Sequence, residues 1–246
     1  MKEVNLFFTD LDSTILDENY NLKLSAVKCI YAAYLKNFVI IFASSKTLPE
    51  QQYFAKKLGI PVTYIVENGA AIYISENVFE NTLQKNGCRK IVLSRFSISY
   101  VRSVLFKLAA NNPAMKFYGN ATLREVSRYT GLPIYLARLA KKREYTETIF
   151  DGYTDEVEKK LIEHRVFPQK GSRFITVGDK TNKGESARKL ISFLREIGYT
   201  IKRTIGIGDG PNDIPLLKVV SEPYIIGEKI HIKNVPNINK LTEIEL

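Results

Sequence analysis

Acidic residues stand in two tight groups far apart in the chain, Asp10-Leu11-Asp12-Ser13-Thr14 and Gly208-Asp209-Gly210-Pro211-Asn212-Asp213. Between them lie Ser44-Ser45-Lys46-Thr47 and the pair Lys183-Gly184. Carboxylates, a hydroxyl and a lysine are the groups that phosphoryl transfer uses. A carboxylate can attack phosphorus and split one difficult hydrolysis into two easier steps through an acyl phosphate. A phosphate dianion repels that carboxylate, so a hard divalent cation is needed, and Mg²⁺ takes one or two carboxylates together with waters and phosphate oxygens. Hydroxyl and ammonium donors then hold and neutralise the transferring oxygens. Each group alone is commonplace. Asp12 and Asp213 suit turns or caps after strands, Ser44 suits a helix cap, and Lys183 suits an exposed surface. Their order and their placement at equivalent points of the chain carry the signal.

Those points are element boundaries. Val4 to Phe8 is a short apolar run of the kind buried on both faces of a parallel sheet, and the first carboxylates follow it at once. Ser25 to Lys36 has helical spacing, Phe38 to Ala43 is a second strand ending at Ser44, and Pro49 opens a helix to Leu58. Tyr64 to Val66 and Ala70 to Ile74 flank Asn68-Gly69, a tight-turn pair. From Arg173 the alternation resumes, with a strand Phe174 to Val177, a helix Lys183 to Ile197, a strand Thr204 to Ile207, a short helix Ile214 to Val219 and a strand Tyr224 to Ile226.

The middle is different. It offers a strand at Lys90 to Leu93, a helix at Ser97 to Leu108, and a capping-box spacing Thr122 to Glu125 that starts a helix through Tyr129. An extended run Glu144 to Phe150 and an amphipathic stretch Asp155 to Arg165 complete it. The expected fold is α/β: a doubly wound, Rossmann-like parallel-sheet core of residues 1–83 and 175–246, with an inserted α+β cap of residues 84–174. Ligands of such sheets bind beyond the carboxyl ends of the strands, where the four groups lie. Thr82 to Gly87 and Gly178 to Thr181 are expected hinges.

With these four motifs the chain resembles the haloacid dehalogenase (HAD) superfamily of phosphohydrolases, the match running through Asp10/Asp12, Ser44, Lys183 and Asp209/Asp213. The insert resembles the cap of its sugar-phosphatase branch. The resemblance implies Asp10 as nucleophile and Mg²⁺ held by Asp10, Asp209 and the backbone carbonyl of Asp12, with Asp213 supporting them. It implies that the Asp12 side chain protonates the leaving alkoxide and then takes a proton from water. Ser44 and Lys183 would hold the phosphoryl oxygens.

Within the superfamily the chain is similar to a narrower group, the mannosyl-3-phosphoglycerate phosphatases. The matching stretches are Ser44-Ser45-Lys46-Thr47, Glu67-Asn68-Gly69, Tyr118-Gly119-Asn120, Glu125 to Pro133, Arg143-Glu144-Tyr145-Thr146-Glu147 and Gly171-Ser172-Arg173-Phe174. The substrate so implied is a phosphorylated sugar acid. Arg173 or Arg143 is expected to read its carboxylate or phosphate, and Glu144 or Glu147 its sugar hydroxyls. Ser45, Lys46, Ser172 and Asn212 complete the expected binding set. Glucosyl-3-phosphoglycerate, a general sugar phosphate and phosphomannomutase chemistry remain alternatives.

The chain has 246 residues, room for one large domain or two small ones, with 45% hydrophobic and 25% charged residues, so disorder and fibrous repeats are excluded. The net charge is +10. Between Gln84 and Thr148, 13 Lys/Arg face three acids, which is the whole excess and suits an anionic ligand. A basic nucleic-acid-binding protein is the competing reading, and the set Asp10, Asp12, Lys183, Asp209 speaks against it. Two cysteines without metal or disulfide spacing, no leader-like N-terminus and no long apolar run lead us to expect a cytoplasmic protein, monomer or homodimer, without nucleic-acid or membrane partners.

Overall fold

The structure is a computed structural model that describes residues 2–75, 78–79, 88–171 and 173–246. It divides into two compact units, Met1–Leu93 with Asn182–Leu246, and Ser94–Thr181. The chain begins in the first with β1 (Lys2–Thr9), α1 (Leu24–Leu35), β2 (Phe38–Ala43), α2 (Leu48–Leu58), β3 (Val62–Val66), β4 (Ala71–Ser75) and β5 (Cys88–Val92). The second contains α3 (Ile98–Ala110), β6 (Lys116–Phe117), α4 (Leu123–Thr130), α5 (Ile134–Ala140), β7 (Glu147–Asp151), α6 (Asp155–Glu163), β8 (Phe167–Lys170) and β9 (Ile175–Gly178). The first unit then resumes with α7 (Lys183–Glu196), β10 (Tyr199–Gly208), α8 (Ile214–Leu217), β11 (Glu222–Ile226) and β12 (Asn237–Ile238).

Among the described residues the core sheet has eight strands in the order β12-β11-β10-β1-β2-β3-β4-β5. The run from β12 to β3 is parallel, and β4 and β5 are antiparallel additions at one edge. β1 is central, and Leu6, Phe7 and Phe8 are fully buried, which explains why these three read as consecutive apolar residues instead of alternating with polar ones. Its neighbours are in register so that Phe8 lies beside Ile41 of β2 and Gly206 of β10. The carboxyl ends of β1, β2 and β10 therefore come together on one edge.

Local signals set the helix starts there. Thr47 and Glu50 form a capping box on α2 with Pro49 in the first turn, and the Asn182 side chain accepts from the Glu185 N–H to start α7. The turn after β3 runs through Glu67, Asn68 and Gly69, all in the left-handed region with φ of 50°, 59° and 95°. Gly69 is required twice over, by its φ and because a Cβ would lie 2.3 Å from the Asn182 carbonyl oxygen.

The second unit packs α3 and α6 against a four-stranded antiparallel sheet ordered β6-β7-β9-β8. Val101, Leu105, Phe117, Ile149, Leu161 and Val177 form its core.

The expected α/β core and α+β cap are both present, but the joints fall elsewhere. β5 pairs with β4 and extends the core sheet, so the cap begins at Ser94 instead of residue 84. β9 pairs antiparallel with β7 and β8, so it belongs to the cap sheet and the core resumes only at Asn182, not at 175. Both strands are short, and their pattern does not say which sheet will take them. The sequence pattern does not mark α5, β6, β8 or β12; β8 contains Pro168, tolerated because β8 is an edge strand. Of the two expected hinges, 178–181 follows β9, while 82–87 lies outside the described residues. No helix among the described residues is long and apolar enough to cross a membrane.

Candidate active site

Asp10 is the first residue beyond β1, and its N–H donates to the Ile207 carbonyl of β10 at 3.1 Å, which ties the strand end down. Lys183 opens α7 and is completely buried. Its ammonium donates to Asp10 Oδ1 at 2.7 Å and to Asp213 Oδ1 at 2.6 Å. Asp213 closes the turn Pro211–Asp213, and its other oxygen accepts from the N–H groups of Asp209 and Gly210, each at 3.0 Å. Gly208 is needed at that turn, since a Cβ there would stand 2.3 Å from the Asp213 Cβ. Gly184 is needed beside it, facing the Pro215 carbonyl oxygen at 2.3 Å from its own would-be Cβ.

Asp209 follows β10. It accepts from the Thr14 hydroxyl at 3.5 Å and pairs with Lys229. Burial pushes the Asp10 carboxyl up to about 7, with Lys183 pulling it down and Asp213, Asp12 and Asp209 pushing it up. Burial works to discharge Lys183, but Asp10 and Asp213 outweigh it and raise its pKa. Asp209 is also raised, first by burial, against the hydrogen bond from Lys229. These shifts have one cause: a buried cluster with more carboxylates than cations holds on to protons. Such a cluster is equally suited to a cation. Asp10, Asp209 and Asp213 each offer an oxygen within 4.8 Å of the others, and an all-carboxylate donor set fits Mg²⁺.

Ser44 is fully buried after β2, and its Oγ accepts from the Lys46 N–H at 3.4 Å. The helix cap is Thr47, which leaves Ser44 without that role. Lys46 Nζ pairs with Asp12 Oδ1 at 2.9 Å, while the Asp12 side chain stays 42% exposed. Ser45 is half-buried, and Asn212 donates to the Asn68 Oδ1 at 3.2 Å. Asp10, Asp12, Ser44, Lys46, Lys183, Asp209, Asp213 and Asn212 thus all belong to the core unit's strand ends and helix starts. Lys229 was missed, although it too follows a strand, β11, by three residues; the strand-end rule applied to Gly227-Glu228-Lys229 would have found it.

In the cap unit two expectations change. Glu147 is fully buried, its Oε2 accepting from Arg102 Nε at 2.7 Å and its Oε1 from the Thr148 N–H at 3.0 Å, so it holds the cap sheet to α3 and is not presented to a sugar. Arg143 is buried too, with Nε donating to the Thr146 carbonyl and Nη2 to its hydroxyl, each at 2.7 Å, so this side of its fork is taken by the turn. Arg173 is exposed and braces the carbonyls of Thr130 and Tyr129 at 3.1 Å each. Glu144 is half-buried. Ser172 lies outside the described residues.

A family model for haloacid dehalogenase-like hydrolases matches residues 7–233. The chain belongs to this family. As a haloacid dehalogenase-like hydrolase it is 35% identical over 243 residues, 98% of each chain, to a mannosyl-3-phosphoglycerate phosphatase of Pyrococcus furiosus. It is 30% identical to a glucosyl-3-phosphoglycerate/mannosyl-3-phosphoglycerate phosphatase of Persephonella marina, over 96% of this chain and 90% of the relative. Its fold is shared with a solved haloacid dehalogenase-like hydrolase from Bacteroides thetaiotaomicron, at a TM-score of 0.69 and 18% identity, covering 93% of this chain and 90% of the other.

Proposed function

We propose that this hydrolase converts mannosyl-3-phosphoglycerate to mannosylglycerate and phosphate, with Mg²⁺ and a covalent aspartyl phosphate on Asp10. The observation that carries the substrate is the 35% identity across 98% of both chains to the Pyrococcus furiosus phosphatase of that name. The chemistry is supported by the buried meeting of Asp10, Lys183, Asp209 and Asp213.

Asp10 attacks the phosphorus of the ester. Asp12 gives its proton to the departing alkoxide, then takes one from the water that cleaves the aspartyl phosphate. Lys183, held by Asp10 and Asp213, neutralises charge on the transferring group, and Ser44, whose Oγ already accepts from Lys46 N–H, donates its hydroxyl to a phosphoryl oxygen. Asp10 and Asp209, with the carbonyl of Asp12 and the support of Asp213, would hold Mg²⁺, which would supply Lewis-acid charge at the phosphate and the attacking carboxylate. Ser45 and Asn212 complete the phosphate surroundings. For the sugar acid, the exposed Arg173 is the carboxylate or phosphate reader and Glu144 the reader of hydroxyls, with Ser172 beside Arg173 in the chain; Glu147 and Arg143 keep structural tasks.

The test is phosphate release with Mg²⁺ or EDTA from mannosyl-3-phosphoglycerate, glucosyl-3-phosphoglycerate, mannose 6-phosphate and p-nitrophenyl phosphate. Strong turnover of the mannosyl ester, abolished by EDTA and by Asp10→Asn, is the expected result. Comparable use of the glucosyl ester would place the chain beside its two-substrate relatives. Absence of metal-dependent release from every ester would overturn the reading.

A further inference from the structure

Lys46 is the cation whose surroundings the reaction above leaves unused. Its side chain is 6% exposed, and its backbone is pinned on every side: the N–H donates to Ser44 Oγ at 3.4 Å, and the carbonyl accepts from the Glu67 N–H and from Gln51 Nε2, each at 3.1 Å. The ammonium is 2.9 Å from Asp12 Oδ1 and 3.8 Å from Glu50 Oε1, and it lies 5.1 Å from the centre of the Tyr20 ring. Glu50 is itself immobilised, because its other oxygen accepts from both the N–H and the hydroxyl of Thr47 at 2.9 Å in the α2 capping box. Tyr20 is carried by a small hairpin closed by a bridge between Leu16 and Leu22, in which Asp17 Oδ1 accepts from the N–H groups of Asn19 and Asn21.

The result is an ammonium fixed in space by α2 and by the hairpin, with one partner, Asp12, that no other side chain among the described residues holds by an ion pair. Asp12 is 42% exposed and has two side-chain torsions to lose. Proton transfer demands that its carboxyl stay within a few tenths of an ångström of one place. We propose that Lys46 is a positioning residue that holds Asp12 by Oδ1, so that the opposite oxygen, Oδ2, carries the transferred proton. The proposal rests on the reading that Asp12 is the acid and base. It replaces substrate binding as the task of Lys46, since an anion arriving at this ammonium would meet the Asp12 and Glu50 carboxylates.

The proton balance is simple. As the Asp10 oxygen bonds to phosphorus and the bond from phosphorus to the alcohol oxygen breaks, that oxygen takes the proton from Asp12 Oδ2. As water then attacks phosphorus and Asp10 departs as a carboxylate, Asp12 takes the water's proton.

A leaving group that needs no proton is indifferent to where Asp12 stands. The experiment measures kcat/KM for a series of substituted phenyl phosphates, from p-nitrophenyl to unsubstituted phenyl, with wild type, Lys46→Met, Lys46→Arg and Asp12→Asn. These esters carry no carboxylate or sugar, and kcat/KM reports the steps up to and including loss of the leaving group, not the later hydrolysis of the aspartyl phosphate. Lys46→Met is expected to lose on the order of 10²-fold more on phenyl phosphate than on p-nitrophenyl phosphate, the low end of what general acid catalysis contributes. Asp12→Asn should show the same steepened dependence, and Lys46→Arg should recover part of it. An equal loss across the series would overturn the proposal in favour of a structural or phosphate-binding role. No loss on the series but a raised KM for mannosyl-3-phosphoglycerate would overturn it in favour of substrate recognition. A flat dependence in Asp12→Asn itself would instead refute the reading of Asp12 on which the proposal stands.

Discussion

Replacing Lys183 with Met removes the single cation that Asp10 and Asp213 share, at 2.7 and 2.6 Å, while keeping an apolar chain of similar length. The carboxyl oxygens of Asp10, Asp209 and Asp213 then face one another within 4.8 Å. Two unit charges at that distance repel by about 3.5 kcal/mol at an effective dielectric constant of about 20. Removing one partner from a buried ion pair costs about 3–5 kcal/mol for the same reason. We therefore expect Lys183→Met to be less stable than wild type by about 3–5 kcal/mol in EDTA at a pH near 8.5.

The sign of the pH dependence follows from Asp10. Its carboxyl already stands at about 7 in the folded protein, and losing Lys183 raises it further. A carboxyl whose folded pKa exceeds its unfolded value adds stability at low pH that is lost as pH rises through the folded value. The deficit of the variant should be small near a pH of about 5.5 and open between about 7 and 9. Mg²⁺ restores the missing positive charge and should stabilise the variant more than wild type, in an EDTA-reversible way. Urea unfolding at several pH values, with and without metal, measures all of this. A variant as stable as wild type at the alkaline end, or a deficit that does not change with pH, would refute the electrostatic account of the cluster.

Two further outcomes are expected. Hydrogen bonds from the Arg95 side chain hold the Asp179 carboxyl down to about 2, with burial opposing and the N–H groups of Arg95 and Lys180 assisting. That contribution is present above the unfolded value near 3.8 and lost as pH falls through about 2, so Asp179→Asn should cost about 1 kcal/mol at neutral pH, after allowance for the solvent around Arg95, and only a small part of that near pH 2; denaturant titrations at both pH values check it. Lys229 pairs with an Asp209 oxygen that the proposed Mg²⁺ would use, so Lys229→Met should bind Mg²⁺ several-fold more tightly in isothermal titration calorimetry, and unchanged binding would show that the pair does not compete with metal.

Much of the core was legible before any coordinates. Apolar runs mark β1, β2 and β10, and the buried part of such a strand has no place for a charge until it leaves the sheet, so Asp10 and Asp209 mark the carboxyl edge, as Ser44 does after β2. Thr47-Leu48-Pro49-Glu50 and Thr122-Leu123-Arg124-Glu125 specify their capping boxes through contacts three residues apart, which any chain carrying them can make. These are local facts, decided by backbone sterics and side-chain reach.

Only the tertiary structure decided the rest. Lys183 is separated from Asp10 by 173 positions and from Asp213 by 30, and nothing in Lys183-Gly184 distinguishes a buried counter-ion from a surface lysine. Glu147 and Arg143 looked like ligands in a basic segment, yet Arg102 arriving from α3 takes the first and the Thr146 turn takes the second. β9 reads as a core strand until its antiparallel partners appear. Lys46 shows in sequence only as a basic residue after a strand; the Tyr20 ring and the Asp12 carboxylate beside its ammonium come from a separate segment of the chain. The physical reason is common to all four. A residue's type and local pattern determine what it can do, while burial and charge pairing depend on which distant segments close against it.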